Sequence, residues 1–571
     1  MKENYTIGIN FLHSDTSACI FKNNELIAAS EEERFTRVKH TSFFPENSIK
    51  YCLNEAQINL SNVDYITINS NPFTSLLRKI YFILTNPFSL KIVFQSIKNT
   101  KNKISLKNQI LKIDPINKFK GDIKFIDHHE SHIASSMFSS NFEESVNLSL
   151  DGFGDFASCA WGLKNKDNFK IDNKIYFPHS LGIFYQSLTQ FLGFKYYGDE
   201  YKVMGLSPYG QPKFRNEIAK LVIKTDYGFK LNLDYFRHHK QKIFHINEDG
   251  QFVYENLYSK KLLDLLGTER RPNEKLEQKH MDLAKSIQVV YEDIFFHILN
   301  LLNKKYKDVH NLTLSGGCAM NSVANGKISN NSNFKNIYIC PNPGDAGGSV
   351  GSSLSFLKKN FNYQFDIKKY SYLGNSFTND EIFEILEKEK IKSQYKIQLF
   401  EDDKLYSFVT DHLKKGNVIG WFQGKMEWGP RALGNRSIIA DARNPKIKEI
   451  INSKIKRRES FRPFAPSILE EDLSNWFDIN VESPYMLLVA FINIEKRIEM
   501  TKEQKEFFGI EKLNVKRSEI PAVTHVDYSA RIQTVTVNTN KRYYDLISKF
   551  KQITGCPVIV NTSFNVRGEP I

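Results

Sequence analysis

Four times in this chain an apolar run stops at a turn of glycine, aspartate and small residues. The segments are YTIGINFLHSDTSA, VNLSLDGFGD, NLTLSGGCAMN and IYICPNPGDAGG. Each reads as a buried strand that ends in a tight loop, and in the last two a helix follows at once. Glycine lets backbone amides approach a ligand, and the start of a helix adds partial positive charge that favours anions. One such turn is weak evidence. Several in succession point to an α/β fold whose strand ends form a nucleotide clamp.

HHESHIASSMF precedes the second of these strands. His128 and His132 are four apart, so a helix places both on one face. Val146, Leu148 and Leu150 then alternate as a strand, and Asp151 sits where the strand meets its glycine turn. Two imidazoles and a carboxylate form a ligand set suited to Zn, Fe or Mn. Asp345, inside PGDAGG, offers a second carboxylate. The plain alternative is a surface helix carrying polar histidines. His13 and Asp15 share the first loop, between two buried strands, where rigid elements hold chemistry well. There the alternative is a turn in which Asp15 and Ser17 bond local backbone.

With 571 residues the chain is too long for one core, so two or more domains are expected, joined near Lys358–Tyr372 where periodicity fades. MKENYTIGIN lacks the apolar core of a signal peptide, and no apolar run is long enough to span a bilayer. The six cysteines are scattered without a C-x-x-C pair, as expected of reduced thiols in a cytoplasm. The formal charge of +14 is uneven. Residues 76–120 hold ten Lys or Arg against one acid, Asp114, and read as two helices broken at Asn86-Pro87. Such a segment suits an anionic surface or a peripheral membrane contact; a lysine-rich solvated face is the alternative.

The second half is rich in arginine. Lys425, Arg431, Arg436 and Arg443 follow an apolar strand; Lys456, Arg457, Arg458 and Arg462, then Arg531 and Arg567, fall in later loops and strand ends. Guanidinium forks grip phosphate or carboxylate oxygens in pairs. The alternative is a salt-bridge network with Glu427, Asp441 and Glu459.

HSDTSA, EERFTRVKH, HHESHIASS, DGFGD, EYKVMGL, SGGCAMNSVANGK and PGDAGG, followed by WGPRALGNRS, ESFRPFAPS, HVDYSARIQTV and NTSFNVRGEP, resemble in order the NodU/CmcH-type O-carbamoyltransferase family. The resemblance implies an actin-like ATPase (ASKHA) domain with duplicated ribonuclease-H-like cores over residues 1–365, and a YrdC-like α/β domain over residues 366–571. The first is akin to the transferase that makes threonylcarbamoyladenosine in tRNA. It implies Fe(II), or another divalent transition metal, on His128, His132, Asp151 and Asp345. It implies adenylate contacts from Gly316, Gly317, Asn321, Gly344 and Lys202. Arg431, Arg462, Arg531, Asn561, Ser563 and Arg567 are implied to contact carbamoyl phosphate and ATP, the latter with Mg. His13 is the expected base toward the acceptor hydroxyl of a small molecule or glycan, with Asp15 orienting it.

Two features depart from the family pattern. Ser14 separates His13 from Asp15, where histidine often directly precedes the aspartate; and the chain ends at Ile571, just after RGEPI, where relatives usually continue. Three rival readings remain. A tRNA-directed threonylcarbamoyl-type transferase would suit the charge, but WGPRALG and FRPFAP belong to the small-molecule branch, so no nucleic-acid partner is expected. An actin-like sugar kinase would not need the arginine-rich domain. A non-catalytic nucleotide-gated module would not need all four metal-type residues.

Overall fold

The computed structural model describes residues 3–11, 13–86, 106–166, 168–365, 370–389 and 391–571. It divides into two compact units: Met1–Ile367 with Glu503–Leu513 and Gly568–Pro570, and Lys368–Lys502 with Asn514–Arg567 and Ile571.

The first unit contains two five-stranded sheets. One is built from β1 (Tyr5–Asn10), β2 (Ser17–Lys22), β3 (Glu25–Glu31), β4 (Tyr65–Ile68) and β5 (Asp122–Phe125), in the order β3-β2-β1-β4-β5. Helix α1 (Leu76–Thr85) lies between β4 and β5 in sequence, and α2 (His128–Met137) follows β5. The other sheet holds β6 (Glu144–Gly154), β7 (Ala157–Asn165), β8 (Asn168–Tyr176), β9 (Asn311–Ser315) and β10 (Asn336–Ile339), in the order β10-β9-β6-β7-β8. The two share one plan. Three consecutive strands pair antiparallel, and two later ones add in parallel beside the first of them. The central strands β1 and β6 are buried along most of their length, so the polar residues that alternate with their apolar ones, Thr6, Asn147 and Ser149 among them, are buried as well.

Helix α3 (Gly348–Phe361) packs on both β1 and α2. Its sequence, GSVGSSLSFLKKNF, explains how it comes so close. A Cβ on Gly8 of β1 would lie 2.0 Å from the Ser349 carbonyl oxygen, and one on Gly351 would lie 1.8 Å from that of Ser131 in α2. Its buried serines are bonded: Ser349 to Ser17 at 3.0 Å, and Ser352 and Ser353 to Thr67 at 3.0 and 2.9 Å. This close packing brings the start of α3, with Asp345 just before it, beside α2.

The region 211–280, which reads as irregular, holds two short hairpins, Val222–Thr225 with Gly228–Leu231 and Phe244–Ile246 with Phe252–Tyr254. Of the two helices expected on either side of Asn86-Pro87, the first is α1; the second, at Leu90, Val93 and Ile97, lies outside the described residues.

The second unit is a six-stranded mixed sheet. Its strands are β11 (Ile419–Phe422), β12 (Arg436–Asp441), β13 (Ala465–Leu469), β14 (Leu488–Phe491), β15 (Ser529–Val535) and β16 (Val558–Ser563), ordered β11-β12-β16-β13-β15-β14. The β13–β15 pair is parallel and the other pairs antiparallel. Helices α4 (Asp402–Lys414) and α5 (Lys541–Thr554) pack on each other and share a core with the sheet, with Tyr406, Leu413, Ile439, Leu546, Phe550 and Val558 among its buried residues.

Candidate functional site

Asp127 sets where α2 begins. Its Oδ1 accepts the Glu130 amide at 3.1 Å, a side-chain N-cap, and its Oδ2 pairs with Lys174 at 2.6 Å. The helix therefore starts at His128, and one turn later His132 points the same way. Both rings are buried. Their Nε2 atoms are 3.0 Å apart. Asp151 Oδ2 lies 3.1 Å from His128 and 3.7 Å from His132; Asp345 Oδ1 lies 3.7 and 3.5 Å from the same two atoms. Ligand atoms of all four residues fall within 4.8 Å of one another.

The electrostatics suit a cation. Asp345 Oδ1 is buried and faces the two imidazole nitrogens. Burial opposes charge on His132, but bonds to Asp151 and Asp345 outweigh it and raise the imidazole to about 9. Burial likewise opposes charge on Asp151, yet its bonds to His128 and His132 hold it well below the usual carboxylate range. Asp345 is raised, first by burial and then by the Asp151 charge. Two nitrogens and two carboxylates aimed at one point are a donor set that fits a divalent transition metal.

Glycines make room for this cluster. A Cβ at Gly154 would lie 2.0 Å from the His128 ring. Gly316 has φ +85°, and a Cβ there would lie 2.1 Å from the Leu150 carbonyl oxygen. The Gly317 amide donates to Asp151 Oδ1 at 2.8 Å. Two glycines expected at a nucleotide thus also buttress Asp151. Gly344 has extended backbone (φ −79°, ψ −165°) and leads directly into Asp345. Asn321 Oδ1 accepts the Ala324 amide at 3.1 Å and caps a short helix, and it also bonds Gln288. Lys202 pairs with Asp199 at 2.7 Å and lies over the Phe194 ring.

The first loop differs from expectation. The His13 ring sits 4.8 Å, centroid to centroid, from that of His128. Asp15, however, is held by His40 Nδ1 at 2.7 Å, so the histidine it orients is His40 and not His13. Burial lowers and the Asp15 charge raises the His40 pKa, with a net rise. Ser14, the residue that interrupts the His-Asp pair, bonds Tyr197 at 2.5 Å and Asp345 Oδ2 at 3.3 Å. Asp155 has a role that no local pattern marks. It accepts the His128 amide at 2.9 Å, the Asn71 amide at 2.6 Å and the Ser70 hydroxyl at 2.6 Å, which ties the end of β4 to the start of α2. The only signal for it was the second acid of DGFGD.

In the second unit the arginines separate by role. Arg436 donates to the carbonyls of Gln423, Gly424, Asn375 and Asn435, and Arg443 pairs with Asp441 at 2.7 Å; both are structural. Glu427 Oε1 accepts the amides of Leu433, Asn435 and Arg436 at 2.8–3.0 Å, so it folds the loop that carries Arg431 and is not merely a salt-bridge partner. Arg431, Arg458 and Arg462 crowd Arg531: burial, then their three charges, pull its guanidinium well below the ordinary range. Arg531 Nε is buried with no hydrogen bond among the described residues. In the sequence Arg458 stands out only as one of several basic residues. Glu459 offsets part of the charge, bonding Arg462 at 3.3 Å and reaching the largely exposed Arg567 at 3.6 Å.

Asn561 donates to the Ala432 carbonyl at 3.0 Å and to Gln533 at 2.8 Å, beside the Arg431 loop. Ser563 bonds Asn565 at 2.6 Å, and Lys456 reaches both residues. Arg431, Arg458 and Arg462 gathered on Arg531, with one carboxylate on Arg462, are an arrangement that suits a polyanion.

Two family models match the sequence, Carbamoyltransferase N-terminus over residues 5–354 and Carbamoyltransferase C-terminus over residues 410–571. The chain belongs to the carbamoyltransferase family. It is an enzyme that transfers carbamoyl groups, and the family implies a carbamoyl donor and a hydroxyl acceptor. The chain is 42% identical to an uncharacterized protein of Synechocystis sp., over 99% of this chain and 92% of that protein. It is 32% identical to nodulation protein NolNO of Sinorhizobium fredii, over 98% of this chain and 75% of that one. It is 29% identical to the 3'-hydroxymethylcephem-O-carbamoyltransferase of Streptomyces clavuligerus, over 52% and 50% of the two chains. Among the described residues, no helix of this carbamoyltransferase is long and apolar enough to cross a membrane.

Proposed function

We propose that the chain is a cytoplasmic, ATP-dependent O-carbamoyltransferase that uses carbamoyl phosphate, by way of carbamoyl-adenylate, to modify a hydroxyl of a sugar, glycan or natural product. In this reading the repeated sheet plan of the first unit is the duplicated ribonuclease-H-like core of an actin-like ATPase, and the second unit is YrdC-like. The observation that carries it is the convergence of Arg431, Arg458 and Arg462 on Arg531. Such mutual repulsion is relieved when several phosphate oxygens bind, and a substrate pair of carbamoyl phosphate and ATP with Mg supplies them.

There water hydrolyses carbamoyl phosphate to carbamate and inorganic phosphate, and a carbamate oxygen then attacks the α-phosphate of ATP and displaces pyrophosphate. Arg431, Arg462 and Arg531 neutralise the charge that builds on the leaving oxygens. Asn561, Ser563 and Arg567 complete the pocket. In the first unit, the turns at Gly316–Gly317 and Gly344, with Asn321 and Lys202, hold the adenylate. His128, His132, Asp151 and Asp345 would hold a divalent transition metal, Fe(II) in this proposal, whose chemistry when bound is Lewis-acid polarisation of a carbonyl oxygen. The acceptor hydroxyl attacks the carbamoyl carbon, its proton passes to His13, and AMP leaves. Asp15 acts through His40 as a wall of the loop that presents His13.

The test is the nucleotide product. With carbamoyl phosphate, ATP and Mg, the enzyme releases pyrophosphate, and AMP follows on transfer or hydrolysis. Release of ADP would identify a kinase and end this reading.

A further inference from the structure

Helix α1 is turned inside out. Its residues Leu77, Ile80, Tyr81 and Leu84 follow the i, i+3, i+4, i+7 spacing of an apolar stripe, the pattern that normally faces a core. Here the stripe faces outward: Leu77 is 83% exposed, Leu84 77%, Tyr81 64% and Ile80 52%. Phe73 and Leu76 extend the same exposed surface. Phe82 on the opposite side is the anchor. It is buried, with its ring 5.0 Å from Phe177 and 5.8 Å from Phe156. Arg78 lies over the Tyr176 ring and Lys79 donates to the Pro72 carbonyl, so both basic residues turn back along the fold and leave the stripe uninterrupted by charge.

We propose that α1 docks on an anionic lipid surface, lying in the plane of the headgroups with Leu77, Ile80, Tyr81 and Leu84 inserted. The occupant is argued from charge. Past the helix, residues 86–120 carry eight Lys and one acid, Asp114. An apolar stripe followed in sequence by charge of one sign matches a bilayer of anionic headgroups over acyl chains. The apolar groove of a protein partner asks for no such one-signed flank. A ten-residue helix is too short to span, so the contact is peripheral.

Sedimentation of the full chain with vesicles tests the proposal. Vesicles of phosphatidylglycerol and phosphatidylcholine should pellet the protein; vesicles of phosphatidylcholine alone should bind at least about tenfold less, because the basic flank then finds no counter-charge. Leu77→Glu/Leu84→Glu should lose at least about tenfold in binding to the anionic vesicles while keeping the parent melting temperature. Should that variant lose its cooperative melt, Leu84→Ser provides the same comparison at an already exposed position. Three results overturn the inference: no pelleting of the parent with anionic vesicles, equal pelleting of parent and folded variant, or a concentration-dependent oligomer that the variant converts to monomer while neither pellets. The last would make a second copy of this chain the occupant.

Discussion

In the first unit two imidazoles and two carboxylates meet within 4.8 Å, and the charges on His132 and Asp151 stabilise each other. In the second unit three guanidiniums press on a fourth, Arg531, and burial together with their charges weakens its hold on its proton. The first cluster is balanced when a cation enters and the second when an anion does. In the proposed reaction each takes a distinct half of the chemistry: phosphate-oxygen handling where like charges repel, and carbonyl activation where mixed donors converge. A single-site kinase would need only one of them.

The largest expected effect separates the halves. Arg462→Ala or Arg531→Ala should cut pyrophosphate release by roughly two to three orders of magnitude, as loss of one donor to developing charge does elsewhere. His128→Ala should leave pyrophosphate release within about threefold of the parent, since it removes nothing from the arginine site, yet abolish acceptor carbamoylation. Synthetic carbamoyl-adenylate should rescue the arginine variants and not His128→Ala. Equal failure of both classes at one step would collapse the comparison into one site.

A second experiment sharpens the view of the first cluster as a cation site. Purified enzyme should carry about one transition metal per chain by elemental analysis, and His132→Ala should carry almost none. Gly154→Ala is the subtler probe. It changes no ligand, but its Cβ would stand 2.0 Å from the His128 ring and push it off the shared centre. Metal content and transfer should fall about tenfold or more, with pyrophosphate release intact. Full metal occupancy in His132→Ala would mean that the ion sits elsewhere.

Parts of both clusters are legible in the sequence because their signals are local. The spacing of His128 and His132, the alternation that ends at Asp151 and the glycines around Asp345 each report one element's geometry. What the sequence hides are partners brought together by tertiary packing. His40 takes the Asp15 carboxylate across 25 positions, and Tyr197 meets Ser14 across 183, and nothing local marks either. Asp155 and Glu427 accept backbone amides, contacts that follow from loop shape and leave no pattern of residue types. Arg436 and Arg443 show the converse: composition grouped them with the anion-binding arginines, and geometry assigns them to the scaffold. The apolar spacing of α1 predicts an amphipathic helix correctly but cannot say which face is turned outward, since that depends on where Phe177 lies.

The smallest expected effect is on stability, and it isolates the cation site without any acceptor. In the folded protein His132 keeps its proton up to about pH 9, against an ordinary imidazole value of 6.5. A raised folded pKa contributes stability that is complete below the unfolded value and is lost as pH rises through the folded one. Metal-free protein should therefore melt progressively lower between pH ~6.5 and ~9, with a total change on the order of 3 kcal/mol at most for this group. The depressed Asp151 reports the same contact and adds no second increment in that window. Metal and proton compete for His132, so the rise in melting temperature on adding Fe(II) or Zn(II) should grow across the same interval. His132→Gln keeps a polar side chain of similar reach but cannot titrate, and its metal-free melting curve should be flatter there. A parent protein with a flat profile, or a variant with the parent's slope, would show that the stabilising charge at this centre is not carried by His132.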